Sequence, residues 1–211
     1  MQYLRPSFLL LAAAVCAAAA QGDGKSKPKP PKPKPRAYAL GDTVKLHKHR
    51  DLAGGAEVDL DAAVRKSTKG VVLFWQAPKS PACRKLLPEV KQLHKKYGAK
   101  GWRFYAVFSG SSRGPKVMDP DEHRMYYKLA RFPFPVLDDR KQRYLKPFRL
   151  ELLPTFAVVT KDRRLRYVGS LRSAHVKTAA YLTRTLDLLG EGKHPPAYKP
   201  EAIKPYGSTI R

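Results

Sequence analysis

The chain has 211 residues, 43% of them apolar, and carries 42 Lys and Arg against 17 Asp and Glu. This length suits one domain with a leader and a tail, and the apolar share is sufficient for a hydrophobic core. Only two cysteines are present, Cys16 and Cys83, which excludes a small scaffold held together by several disulfides.

The first twenty residues, MQYLRPSFLLLAAAVCAAAA, carry an arginine, an apolar run from Phe8 to Ala20 and small residues at the end. This pattern predicts a secretory signal peptide over residues 1–20, and the run is short and alanine-rich for a membrane span. Removal of the leader leaves Cys83 as the single cysteine, so stability must come from packing. A lipoprotein acylated at Cys16 is the alternative, although Val15 fits poorly before such a cysteine.

Residues 21–38 are rich in Lys and Pro. Proline fixes φ and removes backbone donors, so this stretch is predicted to be an extended linker. From Ala37 onward 35 basic residues face 16 acidic ones, a net charge of +19. A positive field of this kind favours anionic partners, such as a membrane surface, an anionic envelope polymer, nucleic acid or an acidic protein, and it does not choose among them. The alternative is that the charge serves solubility. No nucleic-acid-binding motif is recognised.

Residues 39–190 carry the patterns of a folded domain, and residues 191–211 form a C-terminal tail. Short apolar runs such as GVVLFWQ and WRFYAVF indicate strands, and apolar residues three and four apart indicate helices. Asp59 and Asp61 mark the start of one helix. In chain order we predict strand 43–49, helix 60–67, strand 70–76, helix 82–97, strand 102–108, helix 121–130, strand 135–139, helix 143–148, strands 156–160 and 165–169, and helix 174–189.

The last two predicted strands are joined by the polar turn KDRR, which indicates a β-hairpin. Before them, strands alternate with helices, and a helix closes the domain. Such an order predicts an α/β sandwich with a mixed central sheet.

Cys83 follows the predicted strand at 70–76, after a proline-rich loop, and falls in the first turn of the next helix. Backbone N–H groups and the helix dipole stabilise a thiolate at such a position, and Lys79, Arg84 and Lys85 add positive charge. The pattern predicts a nucleophilic cysteine with a lowered pKa. The alternative is that Cys83 faces the core beneath the helix and is inert.

The stretch FWQAPKSPACR and the helix ending in LPEVKQLHKKY resemble the thioredoxin-fold redoxins. These include the alkyl hydroperoxide reductase and thiol-specific antioxidant proteins and the exported thioredoxin-like thiol oxidoreductases. LLPTFAVVTKDRRLRYVGSL is similar to their cis-proline loop and hairpin, so the resemblance covers roughly residues 40–190. It implies a thioredoxin-like three-layer α/β/α sandwich and no cofactor. It also implies a cis bond between Leu153 and Pro154, with backbone groups free to pair with an extended peptide.

The motif S-P-A-C permits two alignments with these proteins. Against a dithiol C-P-x-C motif, Ser80 replaces the attacking cysteine and Cys83 is the resolving one, and a single sulfur cannot close a disulfide. Against a peroxiredoxin, Ser80 is the hydrogen-bonding hydroxyl and Cys83 is the nucleophile. The loop length favours the second alignment, although Gln76 and Leu153 stand where that family carries a proline and an arginine. The residues that the resemblance implies for substrate contact are Trp75, Pro81, Arg84, Pro154 and Thr155.

The tail KPYGSTIR resembles the tails of exported redoxins that carry a Gly-Cys pair, with Ser208 in the place of the cysteine. The predicted function is an exported thiol oxidoreductase or one-cysteine peroxidase that uses Cys83 and an external thiol reductant or a protein thiol or disulfide. The alternative is a catalytically degenerate binding module that docks on an anionic envelope surface or a protein partner. His47 and His49 alternate along the first strand without an evident third ligand, so no metal site is predicted.

Overall fold

The computed structural model describes residues 36–110, 120–171, 180–198, 204–205 and 208–209. The predicted leader and nearly all of the Lys/Pro-rich linker lie outside these residues. Pro35–Arg211 forms one compact unit. Within the described ranges no helix is long and apolar enough to cross a membrane.

The described chain forms short strands and four helices around one central sheet. In chain order these are β1 (Lys48–Arg50), β2 (Glu57–Asp59), α1 (Leu60–Lys66), β3 (Gly70–Trp75), α2 (Pro81–Gly98), β4 (Trp102–Phe108), α3 (Pro120–Ala130), β5 (Val136–Asp138), β6 (Leu152–Leu153), β7 (Thr155–Thr160), β8 (Leu165–Gly169), α4 (Tyr181–Gly190) and β9 (Ser208–Thr209). The central sheet has the order β5-β4-β3-β7-β8. β3, β4 and β5 run parallel, whereas β7 and β8 are antiparallel to their neighbours. This confirms the predicted α/β fold with a mixed sheet.

β3 occupies the middle of the sheet, and all six of its residues are buried. A continuous apolar run is what a strand needs when both faces of its sheet are covered. Its side chains alternate between two core clusters. Val71, Leu73 and Trp75 belong to one cluster, and Val72 and Phe74 to the other. The end of β3 therefore delivers Trp75 into the first of these clusters.

Three predicted elements differ from the structure. Only the end of the strand expected at 43–49 lies in a strand, β1. The preceding segment lies against the β7–β8 hairpin instead, where Thr43 forms an isolated bridge with Arg164. The helix expected at 143–148 is a run of turns. The last helix begins at Tyr181, and most of the remainder of its predicted range lies outside the described residues.

Candidate functional site

The loop after β3 places Cys83 in the first turn of α2. Ser80 is the N-cap of this helix, with extended backbone, and its hydroxyl oxygen accepts a hydrogen bond from the Cys83 N–H at 3.3 Å. Pro81 takes the first helical position, where its missing N–H has no cost. The local sequence therefore fixes the cysteine where the helix start was predicted.

The Cys83 side chain is buried, with 3% of its surface exposed, in the core cluster that also contains Trp75 and Leu153. Burial raises the pKa of the thiol, although hydrogen bonding from the Ser80 side chain and the Ala77 backbone acts in the opposite direction. Of the two sequence-based alternatives, burial favours the one in which Cys83 faces the core. The basic neighbours do not reverse this effect, because Lys79, Arg84 and Lys85 are exposed and water screens their charge.

A buried polar pair lies close to the thiol. The Gln76 side-chain amide donates to the Tyr127 hydroxyl at 2.9 Å, and both residues are almost fully buried. Burial raises the pKa of Tyr127 and of Tyr126, and the nearby Cys83 thiol adds to both shifts. Sequence reasoning missed this pair, and the signal was Gln76 itself, a polar residue directly after a buried strand.

The peptide bond between Leu153 and Pro154 is cis, which confirms what the resemblance implies. Pro154 and Thr155 are both buried. The Thr155 hydroxyl donates to the carbonyl of Leu152 at 2.5 Å, and Thr155 lies opposite Trp75 in the β3–β7 register. The structure thus brings Trp75 and the cis-proline loop to one end of the central sheet.

The backbone edge at this loop is already occupied. β6 pairs antiparallel with β9, so that Leu152 lies opposite Thr209 and Leu153 lies opposite Ser208. The expectation that these backbone groups are free to pair with an extended peptide is therefore wrong in this structure. The chain's own tail takes the place of such a peptide.

The seven predicted site residues divide by exposure. Pro81 and Arg84 are exposed at the start of α2, whereas Ser80, Cys83, Trp75, Pro154 and Thr155 are buried. The indole N–H of Trp75 has no hydrogen-bond partner among the described residues. The arrangement leaves the sulfur closed to large reactants.

The sequence profile described as "AhpC/TSA family" matches residues 40–168, more than half of the chain. The chain belongs to the AhpC/TSA family. This membership indicates a thiol oxidoreductase or peroxidase-like function. No curated protein matches the sequence.

Solved structures show which folds this AhpC/TSA protein resembles. An uncharacterized conserved protein from Geobacillus kaustophilus aligns with a TM-score of 0.71 at 23% identity, over 82% of this chain and 92% of that one. A hypothetical protein from Sinorhizobium meliloti 1021 aligns with a TM-score of 0.70 at 20% identity, over 83% and 95%. A putative thiol:disulfide interchange protein DsbE from Chlorobium tepidum gives 0.52 at 17% identity, over 63% and 85%. These alignments establish a shared thioredoxin-like fold.

His47 and His49 of this AhpC/TSA protein lie beside the ring of Tyr144. His49 is buried, its Nδ1 donates to the carbonyl of Asp138 at 2.9 Å, and its Nε2 lies 3.2 Å from the Tyr144 hydroxyl. Burial and the charge of Arg143 lower the pKa of His47. In the part of the chain that the structure describes, no group of three or more His, Cys, Asp or Glu side chains could hold a metal ion.

A partly open cavity of about 590 Å³ lies beside β6. Leu152 and Thr155 line it together with aromatic side chains, among them Tyr38, Phe148 and Tyr198. Cys83 is not part of its lining. The cavity therefore adjoins the cis-proline loop rather than Cys83.

Proposed function

We propose that this AhpC/TSA protein is a one-cysteine peroxidase in which Cys83 reduces a small peroxide. The observation that carries the proposal is the position of one sulfur in the first turn of α2, directly after the Ser80 N-cap. The N–H groups of a helix start favour the thiolate, which is the nucleophilic form of cysteine, and hydrogen bonding by Ser80 acts to lower the thiol pKa. This is the role that the peroxiredoxin alignment gives to Ser80.

Burial decides which oxidant is proposed. With 3% of its surface exposed, Cys83 is shielded from a folded protein disulfide, because thiol–disulfide exchange requires direct access to the sulfur. Hydrogen peroxide is close to water in size and needs a far smaller opening. The burial therefore favours peroxide over a protein disulfide as the primary oxidant.

The proposed cycle uses peroxide and an external thiol. The Cys83 thiolate attacks one oxygen of hydrogen peroxide and the O–O bond breaks. The second oxygen already carries one hydrogen, and it leaves as water after taking up the proton released by the thiol. Cys83 is then a sulfenic acid. A thiol attacks its sulfur and releases water, and a second thiol attacks the mixed disulfide, which restores Cys83 and releases the oxidised thiol.

The raised thiol pKa limits the rate of this chemistry. At neutral pH only a small fraction of Cys83 is thiolate. Among the described residues, no Lys or Arg contributes to the shift of its pKa. Peroxidase activity should therefore be slow and should increase as the pH rises.

A second candidate is a binding module without catalysis, partnered by a protein or an anionic envelope surface. Burial of the thiol and its raised pKa favour this candidate. Serine at positions 80 and 208, where the resembling redoxins carry cysteine, is also in keeping with lost redox chemistry. The two candidates share the fold and differ only in whether Cys83 reacts.

We also propose that the protein is exported. The support is the secretory pattern of residues 1–20, followed by the Lys/Pro-rich linker at 21–38. In this arrangement the domain at 39–190, with its tail at 191–211, acts outside the cytoplasm.

Trapping of the sulfenic acid tests the peroxidase. The reduced full chain is treated with hydrogen peroxide and dimedone, and peptides carrying Cys83 are quantified by mass spectrometry, with Cys83→Ser as the blank. We expect dimedone adducts to form in the folded protein, and more slowly in Ser80→Ala, because loss of the hydroxyl raises the thiol pKa further. Adducts that form only after unfolding in urea would reject the peroxidase and leave the binding module.

A further inference from the structure

A strongly basic cavity lies between β1 and the turn that follows β5. Its volume is about 430 Å³, within the range of about 300 to 1,000 Å³ that is common for small-molecule sites. Five of its seven lining residues are Lys or Arg. The lining consists of Lys48, His49, Arg50, Asp138, Arg140, Lys141 and Arg143.

Two of the five cations already have carboxylate partners. Arg140 forms a fork with Asp138, with its Nε 2.8 Å from Oδ1. Lys48 lies 3.3 Å from a Glu57 carboxylate oxygen, but both side chains are more than half exposed, so this pair is weak. It would be readily exchanged for a stronger anion.

The other three cations lack such partners. Within the described residues, Arg50, Lys141 and Arg143 have no carboxylate at ion-pair distance. Like charges around one cavity repel each other, and an anion bound among them relieves this repulsion. The larger cavity beside β6 is different, since its basic residues Arg149 and Lys204 are accompanied by Glu151.

The turn that carries Lys141 and Arg143 is held in place by the buried carboxylate of Asp139. Asp139 is 1% exposed. It accepts hydrogen bonds from the Ser109 hydroxyl at 2.7 Å and from the backbone N–H groups of Arg143 and Tyr144 at 3.0 and 3.3 Å. The backbone of the basic turn is therefore held in place before any ligand binds.

The side of the cavity formed by β1 is also held in place by hydrogen bonds. His49 lies between Lys48 and Arg50 on β1, and its ring is held by the Asp138 carbonyl and the Tyr144 hydroxyl. Arg143 also reaches across, with its Nη1 3.5 Å from the Lys48 carbonyl. Walls that are ordered in advance reduce the entropy lost on binding.

We propose that this cavity binds a phosphate group of the phosphomonoester or pyrophosphate class through Arg50, Lys141 and Arg143. A guanidinium group presents paired N–H donors that match two phosphate oxygens. Lysine adds a compact charge. The site is distinct from Cys83 and is independent of the proposed peroxidase activity.

Calorimetric titration of the full chain with inorganic pyrophosphate, at about 150 mM salt to screen diffuse attraction, tests the proposal. The cavity variant is Arg50→Gln/Lys141→Gln/Arg143→Gln. The matched control, Lys66→Gln/Lys85→Gln/Lys95→Gln, removes the same charge from exposed positions on α1 and α2. We expect the cavity variant to lose at least about tenfold in affinity and the control to stay within about twofold.

Three outcomes would overturn the proposal. One is the absence of pyrophosphate binding to the unaltered protein, and another is an equal loss in both triple variants, which would show attraction to the net charge alone. The third comes from vesicles of phosphatidylglycerol and phosphatidylcholine. If they bind through the cavity while pyrophosphate does not, the anion is a lipid headgroup and not a free phosphate compound. Thermal unfolding of each variant checks that the fold is retained.

Discussion

The surroundings of Cys83 and the basic cavity are two polar regions built in opposite ways. Around Cys83 the polar groups are buried, and Gln76 pairs with Tyr127 there. In the basic cavity Arg50, Lys141 and Arg143 are exposed and lack carboxylate partners among the described residues. Burial raises the pKa of the Cys83 thiol and restricts access to its sulfur. Exposure keeps the basic side chains of the cavity charged, but a buried group, Asp139, is then needed to hold the backbone that carries them.

The largest expected effect concerns that support. Asp139→Ala removes the acceptor for three donors, the Ser109 hydroxyl and the N–H groups of Arg143 and Tyr144. We expect the free energy of unfolding to fall by about 2–4 kcal/mol, since buried donors are left unpaired. Urea unfolding measures this change, and the same variant should bind pyrophosphate more weakly.

The matched control for Asp139 is another aspartate. Asp187 is 41% exposed and lies near Lys96 and Lys100, so Asp187→Ala should cost less than about 1 kcal/mol. Equal losses in the two variants would show that burial of Asp139 contributes nothing special. The contrast between a buried and an exposed polar group would then fail for this protein.

The next effect concerns the thiol. Burial raises the pKa of Cys83 in the folded state above the value of about 8.5 in an unfolded chain. The protonated thiol thus stabilises the fold fully below that pH. This contribution decreases as the pH rises toward the folded pKa, by about 1.4 kcal/mol per pH unit.

The pH dependence of unfolding, compared between the unaltered protein and Cys83→Ala, measures this linkage. The variant has a constant packing loss but no titrating thiol, so the difference in stability should shrink above about pH 8.5. Tyrosines with raised pKa, among them Tyr127 and Tyr144, are present in both proteins and cancel in the comparison. Parallel curves would mean that the thiol titrates alike in both states, which contradicts its burial.

Most of the fold was predictable from the sequence because its signals are local. The apolar run of β3 and the Ser80–Pro81 start of α2 are local patterns. The first strand was misplaced because residues from Thr43 onward contact Arg163 and Arg164, which lie far along the chain. No local sequence pattern indicates contacts with residues so far along the chain.

The position of Cys83 at the start of a helix was predictable from the sequence, but the direction of its pKa shift was not. Cys83 lies in the first helical turn as predicted, but the direction of its pKa shift depends on packing against residues such as Leu153, seventy positions away. The basic cavity escaped prediction for the same reason, since Arg50 and Arg143 meet only in the folded chain. The sequence shows a high positive charge but does not show where on the folded protein it is concentrated.

The smallest effect concerns the tail at the edge of the buried region. Removal of residues 199–211 deletes β9 but retains Tyr198, which packs against Tyr181 at 4.8 Å. Because β6 and β9 pair over only two residues, we expect a loss of about 1 kcal/mol or less. Hydrogen exchange should accelerate at whichever of the Leu152 and Leu153 amides donates to β9, since neighbouring N–H groups of a strand point to opposite sides.

The amide of Arg143, bound to Asp139, should keep its exchange rate in the truncated protein and serves as the internal control. Unchanged exchange at Leu152 and Leu153 would show that the tail does not protect this edge. Alkylation of Cys83, followed on the same samples, separates two causes of its shielding. Faster alkylation after truncation would mean that the tail closes the site, whereas an unchanged rate would mean that packing beneath α2 shields the sulfur, and the two regions would then differ through the core alone.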